Sequence, residues 1–171
     1  AVEPALAAMQ SDAVVTVVES PTQIVMTPNA EPSTTGVFFQ PGAKVDARAY
    51  AAILRPLAEA GYTVVIPKQP LGIAFLATGA FESAQAANPQ ITQWVVGGHS
   101  LGGTVAAIDA EQHDSDATAP VSGLLLYASY PASDMSESLT SAVLSISGTN
   151  DGLATPADID ASRADLPADA E

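Results

Sequence analysis

Short apolar runs alternate with segments of helical period along most of this chain. Residues 13–18, AVVTVV, and 22–26, TQIVM, are β-rich and separated by Glu19-Ser20-Pro21, which predicts a strand pair at one edge of a sheet. A polar loop, 29–35, leads to Gly36-Val37-Phe38-Phe39, an apolar run without alternation, as expected of a strand buried on both faces. The run ends in Gln40-Pro41-Gly42-Ala43-Lys44. In ARAYAAILRPLAEAG, 47–61, Tyr50, Ile53, Leu54 and Leu57 fall at helical spacing, with Asp46 as a cap and Gly61 as a stop. Pro56 inside that pattern predicts a kink or an early end.

A strand follows at 62–67, then a second helix over 73–87, weakened by Gly79. ITQWVV, 91–96, reads as a buried strand and TVAAIDAEQ, 104–112, as an Ala-rich helix. The acid-rich turn at His113-Asp114-Ser115-Asp116 precedes strand 121–127, loop 131–138 and strand 142–147. A last amphipathic helix runs from near Pro156 to about Leu166. Strands linked by helical crossovers imply a three-layer α/β fold with a mostly parallel sheet flanked by helices. No internal repeat or low-complexity linker interrupts it, so residues 1–171 are expected to form a single domain.

Composition narrows the partners. With 171 residues, 47% of them hydrophobic, the chain is long enough to bury on the order of 70% of its unfolded surface. Nineteen acids against five Lys plus Arg give a net charge of −14, which repels phosphate backbones and anionic lipid. Neither nucleic acid nor a membrane is an expected partner. The absence of cysteine excludes thiolate metal sites and Cys nucleophiles, and no metal or organic cofactor is expected. No apolar run reaches transmembrane length, and AVEPALAAMQ lacks the basic and apolar regions of a signal peptide, as a mature or trimmed N-terminus would. Acidity leans toward a secreted or extracytoplasmic location and leaves a cytoplasmic one open.

The chemistry centres on Gly97-Gly98-His99-Ser100-Leu101-Gly102-Gly103, between a strand and a helix. A serine hydroxyl is a poor nucleophile unless held clear of the backbone beside a base. A sharp strand-to-helix turn holds it there, and Gly98 and Gly102 allow strand and helix to approach closely. The Leu101 amide then sits at a helix N-terminus, where it can face a developing oxyanion.

With GGHSLGG, GYTVVIPKQPL and SISGTNDGLATP in this order, the chain resembles the α/β-hydrolases, and more narrowly their small bacterial carboxylesterase and dienelactone-hydrolase-like branch, from about Val14 to Leu166. The resemblance implies an eight-stranded sheet, a nucleophile after the fifth strand, an acid after the seventh and a histidine after the eighth. Ser100 then matches the nucleophile and Asp151 the acid, with Asp134 the secondary candidate for the acid. On the residues alone, Asp151 is a turn residue before Gly152. The second oxyanion amide is expected from the loop after the third strand. Pro41 has no N–H, so Ala43 is the first choice and Gly42 or Lys44 the reserve. Tyr50, Ile73, Phe75, Leu76 and Met135 are candidates for an acyl pocket or, more simply, for the core. The implied substrate is a small carboxylic ester.

The chain departs from the family pattern at the base. It holds two histidines. His113 lies along the elbow helix, roughly 20 Å from Ser100 at 1.5 Å per residue. His99 adjoins Ser100, but on a tight turn its ring is expected to point away. The expectation is a fold truncated after the acid turn and its helix, with the histidine downstream, leaving an exposed sheet edge prone to self-association. Two alternatives are a base obtained elsewhere and a catalytically impaired homologue that serves as a binding or scaffold protein. Loss of the histidine from a comparable triad costs on the order of 10⁶ in kcat.

Overall fold

Period-two alternation decides which side of the sheet each apolar side chain fills. In β3 (Thr35–Gln40), Val37 and Phe39 join one buried cluster and Phe38 the other, and in β4 (Thr63–Pro67) Val64 and Ile66 oppose Val65 in the same way. Because both faces are covered, the central residues of these strands are apolar on both sides. The computed structural model describes residues 2–77 and 79–171.

The other strands are β1 (Val15–Glu19), β2 (Gln23–Pro28), β5 (Gln93–His99), β6 (Val121–Tyr127) and β7 (Ala142–Ile146). They form one seven-stranded sheet in the order β1-β2-β4-β3-β5-β6-β7. β2 is antiparallel to both of its neighbours, as the predicted edge pair requires, and the remaining pairings are parallel. Seven strands stand among the described residues where the resemblance implies eight. Outside β7 a single residue bridges to the sheet: the Glu171 amide donates to the Val143 carbonyl (3.0 Å) and its carbonyl accepts from the Ser145 amide (2.7 Å). That is a parallel register.

Five α-helices are present among the described residues: α1 (Glu3–Ala7), which packs on α2 (Ala51–Glu59), then α3 (Ala80–Ala87), α4 (Leu101–His113) and α5 (Pro156–Ser162). Asp46 caps the 3₁₀ turn 47–50 that leads into α2, accepting from the Arg48 amide at 2.9 Å. Pro56 lies inside α2 without ending it. The carbonyl its ring crowds, on Ala52, belongs to the first turn, where the backbone enters from the 3₁₀ turn with room to adjust. The helix predicted over 73–87 is shorter. Gly79, at φ 83°, is left-handed and cannot sit within a helix, so α3 starts after it. Thr78, in the predicted span, lies outside the described residues. α1 is too short to show a helical period.

One carboxyl group is interior. Asp109 on α4 is mostly buried, with the fully buried Gln40 donating to it from β3, and burial pushes its pKa from 3.8 up to about 7. In the unfolded chain it ionises near 3.8, so the folded state binds more protons between these values. Its contribution to stability is therefore present below pH 3.8 and is lost as pH rises to about 7. Asp109→Asn is expected to stabilise the fold at pH 8 by about 1–3 kcal/mol and to leave it little changed at pH 4, measured by urea denaturation at both pH values.

Candidate active site

The turn between β5 and α4 is forced by backbone crowding. A Cβ on Gly98 would overlap the backbone of Gly102 and Gly103, and one on Gly102 would overlap the carbonyls of Gln40 and Pro41. Only glycine allows α4 to start this close to β5 and to the end of β3. The chain makes the turn at Ser100 with φ 52° and ψ −124°, a conformation rare for any residue but glycine. The Ser100 amide donates to the Tyr127 carbonyl (3.0 Å) and its carbonyl accepts from the buried Ser129 hydroxyl (2.6 Å). With its backbone pinned on both sides, Ser100 is exposed, and its side chain makes no capping bond to α4.

Beside Ser100 lies a cleft of about 240 Å³ lined by Ser100, Leu101, Thr104, Ala128, Ser129, Tyr130, Leu153 and Ala154. Leu153 and Ala154 belong to the turn that Asp151 builds. The Asp151 Oδ1 accepts from both of their amides, at 2.8 and 3.1 Å. The carboxylate is thus an Asx-turn acceptor, and its Oδ2 has no hydrogen-bond partner among the described residues. Asp134 caps its own loop instead, accepting from the Ser136 amide and hydroxyl at 2.9 and 2.6 Å, which holds its carboxyl below the usual range.

The loop after β3 reaches the elbow through the contact at Gly102. Its amides are unequal. That of Gly42 donates to the Tyr50 hydroxyl at 2.8 Å and that of Lys44 to the Gly72 carbonyl. No hydrogen bond engages the amides of Ala43 or Leu101 among the described residues. Lys44, at φ 59°, packs against Gly72, where a Cβ would meet the Lys44 backbone.

Neither histidine is bonded to Ser100. His113 sits at the far end of α4, with Nε2 2.9 Å from Glu82 Oε1 and its ring edge-on to Phe81. His99 Nδ1 is 2.8 Å from the Tyr50 hydroxyl, and burial lowers its pKa while the Asp151 carboxylate partly restores it. The candidate pocket residues are not the walls of this cleft. Tyr50 and Met135 are buried in the two core clusters, while Ile73, Phe75 and Leu76 lie in the segment after β4, the last two about half exposed. The residues that do line it, Ala128, Tyr130 and Leu153, stand in irregular loops without periodicity to announce them. Tyr50 reads in the sequence as an apolar pocket or core position, because its polar partners lie 8 and 49 residues away.

Steric crowding predicts opposite outcomes at two glycines. Gly102→Ala is expected to lose 3 kcal/mol or about that in denaturant unfolding, or to fail to fold, since backbone must move. Gly152→Ala faces open space and is expected to shift stability by less than about 0.5 kcal/mol.

Comparison with known proteins places the chain in one family. The model of the alpha/beta hydrolase family matches residues 36–171, from β3 through Glu171, a span that includes the elbow, the β3 loop and the Asp151 turn. No curated protein matches the chain. This match over most of the chain, on a sheet of this topology, means that the protein belongs to the α/β-hydrolase family.

Proposed function

We propose that the chain is the nucleophile-bearing body of a serine carboxylesterase of the small bacterial carboxylesterase and dienelactone-hydrolase-like kind. The observation that carries this reading is Ser100, exposed at a strained φ of 52° on the N-terminus of α4 with no capping bond from its side chain. In this reading Ser100 Oγ attacks the ester carbonyl carbon and its proton passes to an imidazole. The amides of Leu101 and Ala43 hold the resulting oxyanion, and the imidazolium then protonates the departing alkoxide. Water, deprotonated by the same imidazole, releases the acid and restores Ser100. Asp151 orients the imidazole through Oδ2, its Oδ1 being held by its own turn.

The imidazole comes from outside residues 1–171. His99 Nδ1 is taken by Tyr50 and His113 by Glu82. The Glu171 bridge supports a source along the outer edge of β7. A strand continued in that parallel register would finish at the same end of the sheet as Ser100 and Asp151. Where no such strand occupies that edge, the half-exposed Leu144 and Ile146 favour association with a second copy.

Hydrolysis of p-nitrophenyl acetate by residues 1–171, with Ser100→Ala as the blank, tests this. Alone the chain is expected to stay close to the blank, within about tenfold, because the base is missing. Added imidazole is expected to raise a Ser100-dependent rate that saturates with imidazole and falls at least about tenfold in Asp151→Asn. A substantial rate without imidazole that His99→Gln abolishes would assign the base to His99 instead. No Ser100-dependent rate at any imidazole concentration would contradict the esterase reading.

A further inference from the structure

Two hydrogen bonds in a row join the loop after β3 to the residue before Ser100. The Gly42 amide donates to the Tyr50 hydroxyl at 2.8 Å, and that hydroxyl is also 2.8 Å from His99 Nδ1. A hydroxyl carries one proton. With the Gly42 N–H already pointing at its oxygen, Tyr50 satisfies its own donor only by giving it to Nδ1, which requires the neutral His99 tautomer protonated on Nε2. The opposite tautomer would aim two donors at one buried oxygen and leave the phenol proton without an acceptor. Tyr50 is 6% exposed, so such a proton would be costly to leave unmade.

The contact is also steric. A Cβ on Gly42 would stand 2.6 Å from His99 Nδ1, so the loop lies directly against the imidazole. The Tyr50 ring packs on His99 at 5.8 Å and on Phe39 at 5.3 Å, which fixes where its hydroxyl points. The loop carrying Ala43 is therefore tied to the residue preceding Ser100 by one side chain.

We propose that Tyr50 is a positioning residue whose hydroxyl couples His99 to the Gly42 amide, so that protonation of His99 in acid reverses the Tyr50–His99 bond and shifts the loop that presents Ala43. The consequence for catalysis rests on the esterase reading; the coupling itself does not. Burial lowers the His99 pKa below 6.5, and the charged group acting on it is Asp151, in the turn after β7, which raises it. The groups facing the ring from the other elements are the neutral Tyr50, from the 3₁₀ turn before α2, and the Gly42 backbone. At neutral pH His99 is uncharged and the chain of bonds is complete. In acid Nδ1 becomes a donor and the chain loses its acceptor.

An NMR titration of residues 1–171, following the His99 ring nitrogens and the Gly42 and Ala43 amides, tests the coupling. Neutral His99 is expected to carry its proton on Nε2, and the Gly42 amide to shift with the same midpoint as His99, below 6.5. In Tyr50→Phe, His99 still titrates while the Gly42 amide loses that transition. Asp151→Asn is expected to move both midpoints to lower pH together, because a raising influence is removed. If Tyr50→Phe does not fold, His99→Gln keeps the coupling open to refutation, since removing the titrating group should abolish the Gly42 transition. A proton on Nδ1 at neutral pH, a Gly42 amide indifferent to His99, or a transition that persists in Tyr50→Phe or His99→Gln overturns the proposal. Ser100→Ala is expected to give the native titration, which separates this result from the fate of the esterase reading.

Discussion

The contact of backbone on backbone where α4 leaves β5 governs the end of the molecule that carries the candidate site. Gly98 faces Gly102 and Gly103, and Gly102 faces the carbonyls of Gln40 and Pro41, with no room for a side chain at any of these meetings. Because strand, helix and the β3 loop are pressed together here, the chain can turn only through a left-handed residue, and that residue is Ser100. The strain of the turn is borne by the sheet around it. β5 lies between β3 and β6, and the Ser100 amide bonds to the last residue of β6. The same closeness sets the end of β3 and the start of its loop against the start of α4.

The sheet's connectivity gathers the remaining groups. β3, β4, β5, β6 and β7 are parallel, so the loops that follow them emerge at one end. The β3 loop brings Ala43 and Gly42, β5 brings Ser100, and the turn after β7 brings Asp151 with Leu153 and Ala154 along the cleft. The strong negative charge of the chain does not shape this end through ion pairs. Several of its acids serve turns and caps, as at Asp46, Asp116, Asp134 and Asp158, or surface pairs such as Glu19 with Arg48 and Lys68. The interior carboxyl of Asp109 instead accepts from Gln40.

Much of this was legible because it follows from local rules. β3 and β4 show as apolar runs since both faces are covered, and the β1–β2 pair shows because Glu19-Ser20-Pro21 breaks it. The elbow shows because its glycines have no substitutes. What could not be read rests on contacts between distant segments. The helix over 73–87 shortens because Gly79 is left-handed, and Pro56 is tolerated because a 3₁₀ turn precedes α2. His99 reads as an imidazole beside a nucleophile. Only the fold reveals that Tyr50, 49 residues earlier, holds its Nδ1. Likewise Gly42 and Ala43 are adjacent and alike in sequence, yet one amide is committed to Tyr50 and the other is not.

The central claim is that the elbow presents Ser100 as a nucleophile lacking only its base. Peptide mapping by mass spectrometry, after treating residues 1–171 with a fluorophosphonate in the presence and absence of imidazole, examines it most directly. The account predicts one adduct, on Ser100, formed faster with imidazole and absent from Ser100→Ala. An adduct distributed over other serines, or none at Ser100 even with imidazole, would contradict it.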